Sequence, residues 1–305
     1  RVLGDKPGKA VENVWVDQEY NRNLALADAK ALADHALLID ADEYLVPEPG
    51  FAMPPLDGDC YELAVRFRNL EFARPMIVRT ALPWRWVGKR HPGLWAEGAR
   101  PATRLSGLTN IATPDGASWS DPAKYQKQAV DMEEAVAKAP TPRNHYYLAQ
   151  CYRDARMYAK AREAYLVRSK MGGWDEEVWS SLYEAAKLTE ALNDVPDFVV
   201  AAYLTALRAR ASRAESPYRL ARYMRLRGQY ATALFFAHEA VSRPKPPDRL
   251  FVEADVYEWR ALDELSLAAH RTGDAKTARE ALAKVRERAP IQEQARLARN
   301  ATFIL

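Results

Sequence analysis

Ala36-Leu37-Leu38-Ile39-Asp40-Ala41-Asp42-Glu43-Tyr44 decides how the first third of the chain is read. Four apolar residues run directly into two carboxylates one residue apart. The run is short and comes after a helical pattern, so it is expected to form a buried strand that leaves its sheet at Asp40. Open α/β sheets place their ligand sites where strands end. Carboxylates at i and i+2 there can share a hard divalent cation, Mn²⁺ or Mg²⁺, with the oxygens of a substrate phosphate. The plainer alternative is a polar strand end, with Asp42 capping the next element.

Working back, Asp17 is placed to cap a helix that runs to about Asp34, with Glu19 in its first turn where the helix dipole favours negative charge. Tyr20, Leu24, Ala27 and Ala31 share one face, and Arg22 and Asn23 lie off it near the helix start. Arg22 reads either as a solvated arginine or as a contact to a diphosphate or nucleobase, which a guanidinium fork suits. Gly4-Asp5-Lys6-Pro7-Gly8-Lys9-Ala10 has the outline of a phosphate loop. It carries too few residues between its glycines, and Ala10 stands where a hydroxyl is needed, so it is not read as one.

Working forward, Pro47, Pro49, Pro54 and Pro55 mark a loop to about Asp59. Tyr61-Glu62-Leu63-Ala64-Val65-Arg66-Phe67-Arg68 alternates as a half-buried strand does. Pro75-Met76-Ile77-Val78 and Trp84-Arg85-Trp86-Val87-Gly88 are further strands, with His91 just beyond. An α/β domain over residues 1–118 accounts for these elements.

From residue 119 glycine thins out and the period becomes helical. Small or branched residues of a second helix recur at Ala161, Val199, Ala233 and Ala278, close to the roughly 34-residue tetratricopeptide period. Tyr165, Tyr203, Ala237 and Leu282 come four residues after each, and Gly228 and Gly273 punctuate paired helices. Residues 119–305 are therefore read as an all-α tetratricopeptide solenoid, with Pro244, Pro246 and Pro247 breaking the array before its last pair.

Composition narrows the function classes. Lys plus Arg is 44 and Asp plus Glu is 41, a balance that suits neither a dedicated nucleic-acid binder nor a membrane-surface protein. An arginine cluster at Arg208, Arg210, Arg213, Arg219, Arg222, Arg225 and Arg227 reads as a solvated helix face before it reads as a nucleic-acid grip. Cys60 and Cys151 form no CxxC pair, so a reducing compartment, the cytoplasm, is expected. No stretch is long and apolar enough to read as a membrane span.

Three blocks together resemble a family. They are Trp15-Val16-Asp17, Asn21-Arg22-Asn23 and Leu38-Ile39-Asp40-Ala41-Asp42-Glu43 with Pro7-Gly8-Lys9 upstream; Arg74-Pro75-Met76-Ile77-Val78-Arg79 with Trp84-Arg85-Trp86-Val87-Gly88 and His91; and Tyr147-Leu148-Ala149-Gln150 through Met171-Gly172-Gly173-Trp174-Asp175-Glu176-Glu177. The chain is similar in these to glycosyltransferase family 2 proteins with a tetratricopeptide extension, relatives of the S-linked bacteriocin glycosyltransferases. The resemblance implies a GT-A fold and inverting transfer from a nucleotide-sugar donor, a UDP-sugar first among them. The acceptor would be a peptide, protein or glycan, held partly by the repeats.

The same resemblance implies that Asp42, Asp40 and His91 hold Mn²⁺ or Mg²⁺ and that Arg22, Asn23, Asp40 and Asp42 face the donor. His91 is followed by Pro92 where relatives carry a glutamate, so Glu97 is the expected general base and Glu71 the substitute. The strand and Asp that clasp the nucleobase in a GT-A domain have no counterpart in these residues. Two alternatives remain: a donor pocket completed from outside this sequence, or a catalytically inactive platform carrying a binding scaffold.

Overall fold

The computed structural model describes residues 8, 10–30, 32–88, 90–114, 121 and 123–304. Most of the Gly4–Ala10 stretch, Ala31 and the expected boundary at 118 lie outside them. The chain forms two compact units: Arg1–Leu63 with Arg74–Thr109, and Ala64–Ala73 with Asn110–Leu305.

In the first unit, α1 (Gln18–Ala29) starts where Asp17 Oδ1 accepts from the Tyr20 N–H at 2.8 Å. It stops short of the expected Asp34 and buries only Leu26. The strands are β1 (His35–Leu37), β2 (Glu43–Pro47), β3 (Cys60–Phe67), β4 (Leu70–Arg79), β5 (Arg85–Val87), β6 (Gly93–Trp95) and β7 (Thr103–Ala112). They order as β1-β4-β3-β7-β2, with β5 and β6 in a separate pair.

The expectation of a buried strand ending in Asp-x-Asp is corrected here. β1 covers three residues at the sheet's end, antiparallel to β4 through His35↔Arg79 and Leu37↔Ile77. Leu37 and Ile39 are 44% and 42% exposed, whereas Leu63, Val65, Met76 and Val78 of β3 and β4 make the buried centre. A four-residue apolar run looks the same in an edge strand as in a central one. Leu26, Cys60, Val78, Trp84, Trp86 and Ala96 form the core that joins α1 to the strands.

The second unit is a helical array: α2 (Lys124–Lys138), α3 (Pro142–Asp154), α4 (Tyr158–Ser169), α5 (Asp175–Ala191), α6 (Pro196–Ala209), α7 (Glu215–Leu226), α8 (Tyr230–Val241), α9 (Ala261–Arg271), α10 (Ala275–Arg288) and α11 (Ile291–Ile304). Each helix packs on the next in sequence, as a solenoid of helix pairs requires. Ala161, Ala233 and Ala278 are fully buried, Val199 nearly so, and Tyr165, Tyr203, Ala237 and Leu282 are sealed beside them. These positions sit where paired helices cross, and only a small or slim side chain lets the backbones approach. Gly228 and Gly273 take φ of 74° and 83° at the turns, which a side chain would strain. The tetratricopeptide-like solenoid expected from the period is what the chain forms.

Two pieces interrupt this regularity. The β3–β4 turn belongs to this unit, and a short strand β8 (Val252–Glu253) pairs with it antiparallel, Leu70↔Glu253 and Glu71↔Val252. A π-helical turn, Val256–Arg260, then leads into α9.

Candidate functional site

Asp40 and Asp42 lie in the turn between β1 and β2. The Glu43 N–H donates to the Asp40 carbonyl at 3.1 Å, and the Asp40 N–H donates back to Glu43 Oε2 at 3.1 Å. Arg22 Nη2 donates to both Asp40 oxygens at 2.7 and 2.8 Å while its guanidinium lies 4.8 Å from the Trp86 ring centroid. Arg74 reaches the same turn, 2.6 Å from Glu43 Oε2 and 3.7 Å from Asp40 Oδ2. Two guanidiniums thus answer Asp40 and Glu43, and the cluster compensates itself.

The other expected donor-side residue, Asn23, is used by the backbone. Its Oδ1 accepts from the Trp86 N–H at 2.8 Å and its Nδ2 donates to the Trp86 carbonyl at 3.0 Å. Glu19 accepts from the Gly88 N–H at 2.8 Å and Gln18 from the His91 N–H at 3.1 Å, so the first turn of α1 anchors the β5–β6 hairpin. His91 is exposed with φ of 46°, and Glu97 is exposed in the turn after β6. Glu71 belongs to the other unit, where it accepts from Arg66 at 2.5 Å and from Lys245.

Among the described residues, no three His, Cys, Asp or Glu side chains gather as a cation site. Asp40 spends both oxygens on Arg22, so Asp40, Asp42 and His91 as arranged do not fit Mn²⁺ or Mg²⁺, which need several oxygens converging on one point. The structure brings together Arg22 and Asp40. It adds Arg74, Glu43 and Trp86, to which the sequence alone gives no role.

The second candidate lies on the first helices of the repeats. Tyr183 of α5 and Arg219 of α7 point at Glu253 from two repeats, with Lys187 one turn beyond Tyr183. Tyr183 Oη donates to Glu253 Oε1 at 2.9 Å, Lys187 Nζ lies at 3.5 Å, and Arg219 Nη2 lies 3.5 Å from Oε2. Burial drives the Glu253 carboxyl up, and Lys187 and Arg219 more than reverse it, so its pKa falls below the usual range. Next to it, Arg213 is sealed from solvent against Glu215 at 2.8 Å and over Trp179 at 3.8 Å. Trp179 and Tyr183 stack at 5.1 Å in the array's core.

Two grooves open on the second helices. One of about 350 Å³ runs along Leu166, Leu182, Phe198 and Ala202. Another of about 370 Å³ is lined by Val200, Leu204, Tyr223 and Met224. Among the described residues no helix is long and apolar enough to cross a membrane.

No protein-family model matches the chain, and no curated protein does. Solved structures do, over the helical part. The chain is similar to YrrB, described as a TPR protein with an unusual peptide-binding site, at 14% identity over 58% of this chain and 84% of that one (TM-score 0.43). It is similar to MamA from Desulfovibrio magneticus RS-1 at 16% identity over 54% and 85% (TM-score 0.42). It is also similar to the C-terminal part of a TPR repeat-containing protein from Cytophaga hutchinsonii, at 17% identity over 58% and 67% (TM-score 0.44). The first and the third are described as TPR proteins; the repeat assignment itself stands on this chain's own helix pairs.

Proposed function

We propose that the chain is a tetratricopeptide-type binding scaffold for a peptide or protein partner. One observation carries this reading: the array holds a non-helical backbone, residues 249–253, through side-chain contacts to its main chain and a pocket for its carboxylate. Peptide recognition in general works by these two means. Panning a random peptide display library against the intact chain tests it. Selected peptides should bind saturably, with affinity unchanged by Asp40→Ala and Asp42→Ala. A panel that yields no saturable binder, or binding lost with either substitution, refutes the scaffold.

A second reading, sugar transfer from a nucleotide-sugar donor such as a UDP-sugar, is favoured by one observation. Arg22 and Arg74 converge at the turn bearing Asp40 and Asp42. Guanidiniums can meet the charge of a departing diphosphate without a metal. The expected effect is a rise in melting temperature with UDP that persists in EDTA and is lost in Arg22→Ala. No shift with any of several nucleotides, and no glycosylated product by mass spectrometry, would end this reading. Two free, buried cysteines, Cys60 and Cys151, suit the reducing cytoplasm expected for either role.

A further inference from the structure

The connection between α8 and the π-helical turn is longer than the array needs. Other repeats are joined by residues 170–174 and 210–214; here residues 242–255 intervene. Helix–helix connections in bundles commonly take about 2–8 residues, and a longer one is usually functional. The excess opens with Pro244, Pro246 and Pro247 and then runs back over helices that precede it in sequence.

Along the segment, residues 248–251 and Glu253 meet the array, while Val252, Ala254 and Asp255 meet the β3–β4 turn. Asp248 meets Arg210 at 2.6 Å and Arg213 at 2.9 Å. The Arg249 and Leu250 N–H groups both donate to Glu176 Oε2 at 2.7 Å, at the start of α5. Leu250 and Phe251 pack on the cluster of Tyr146, Ala149, Ala161 and Tyr165, and the Phe251 ring meets Phe72 edge-on at 5.3 Å. Arg213 donates to the Leu250 and Phe251 carbonyls at 3.2 and 2.7 Å. Glu253 then enters the Tyr183, Lys187 and Arg219 pocket, and its N–H donates to Glu215 Oε1 at 3.2 Å.

These are the contacts of a bound peptide. Up to Glu253 the segment is not helical, Val252 and Glu253 are strand, and Ala254 and Asp255 turn into the helix that follows; its main chain is satisfied by side chains of the array and by the β3–β4 turn. Phe251 sits at φ of 34°, a conformation that strains a bulky residue and persists only because its surroundings impose it. A segment held by its surroundings against its own preference is held as a ligand is. Glu253 Oε2 completes no hydrogen bond although it is buried, so the pocket does not fully satisfy its own occupant.

We propose that residues 248–255 are an intramolecular ligand of the helical array, and that the surface beneath them binds a peptide of like chemistry once they leave. The peptide would offer two adjacent apolar side chains, as Leu250 and Phe251 do, and a carboxylate two residues on, as Glu253 does. This rests on the scaffold reading and names its ligand class.

The test replaces residues 248–255 in the full chain by a Gly-Ser segment of equal length. A fluorescein-labelled peptide of sequence Asp-Arg-Leu-Phe-Val-Glu-Ala-Asp is then titrated by anisotropy. The replaced chain should bind it at least ~100-fold more tightly than the natural chain. A peptide with Gln in place of the glutamate should bind about 10-fold more weakly, the ratio expected for losing a charge-assisted bond. Arg219→Ala should weaken the glutamate peptide and leave the Gln peptide unchanged.

A folded replaced chain that binds neither peptide, or both equally, overturns the proposal. The scaffold reading then survives if library peptides still bind. Where the replaced chain does not fold, hydrogen exchange on the natural chain decides. The Glu253 and Ala254 amides should exchange at least ~10-fold faster than the slowest amides of α5 and α7, through an opening smaller than global unfolding. Exchange at the same rate as those helices would make the segment an inseparable part of the fold.

Discussion

Replacing Arg213 with methionine removes one charge from the most enclosed ionic cluster of the array. Arg213 is fully buried; burial alone would lower its pKa, but Glu215 and Asp248 hold the guanidinium charged. It donates to Glu215 at 2.8 and 3.0 Å, to Asp248 at 2.9 Å and to the Leu250 and Phe251 carbonyls. Breaking a buried pair by removing one partner costs about 3–5 kcal/mol, because the remaining charge is stranded. Here the stranding is partial. Asp248 keeps Arg210 at 2.6 Å, and Glu215 keeps the Tyr257 hydroxyl at 2.6 Å. The lower end, about 3 kcal/mol, is therefore expected, a fall in Tm of roughly 6–12 °C for a unit of this size. Urea unfolding followed by far-UV circular dichroism, which reports mainly the helical unit, gives the number. Adding Glu215→Gln should restore about 1–2 kcal/mol, since it removes the stranded charge. A loss under about 1 kcal/mol for Arg213→Met, or a double variant as unstable as the two single losses added, would refute this account.

Three other substitutions have defined outcomes. Ala233→Leu places a large side chain at a fully buried helix crossing and should cost at least about 1–3 kcal/mol in the same assay; no loss would mean the crossing is looser than its burial implies. Glu184 is held down to about 2 because Lys187 and Arg153 outweigh the burial that raises it; its folded-state pKa lies below its unfolded 4.5, so its contribution is complete above pH 4.5 and is lost as pH falls toward about 2. The stability slope over that window should flatten in Glu184→Gln, and parallel slopes would contradict the assignment. Asn23→Ala leaves the Trp86 N–H and carbonyl without their side-chain partners and should speed exchange of the Trp86 amide about 10-fold; unchanged exchange would show that the pairing with α1 does not hold β5.

The repeats are legible in sequence because Ala161, Val199, Ala233 and Ala278 do a job that only small or slim residues can do, and that job recurs from one helix pair to the next. Helix α1 is legible for the same kind of reason: Asp17 caps it by a local bond. The edge position of β1 is not, because which neighbours a strand has is decided by chain far from it, here Ile77 and Arg79. Arg22 and Asp40 each stand out in sequence as contacts to a ligand, whereas the structure pairs them with one another. Residues 248–255 show in sequence only as part of a break in the array. Their partners Glu176, Tyr183 and Arg213 lie far back along the chain, and no local pattern announces such contacts.

The charges on the covered surface bear on what would replace that segment. Asp248 and Glu253 supply two of the carboxylates that answer Arg210, Arg213, Lys187 and Arg219. When the segment leaves, Glu176, Glu184 and Glu215 stay with the array, and cations exceed carboxylates around the vacated strand position. A neutral apolar peptide could fill the Leu250 and Phe251 positions but would leave Arg219 without its carboxylate and Lys187 with Glu184 alone, a penalty the acidic peptide avoids. Discrimination between the two should therefore come chiefly from rejection of the uncharged one. Because Lys187 and Arg219 are each about a quarter exposed, added salt should erode that discrimination only in part.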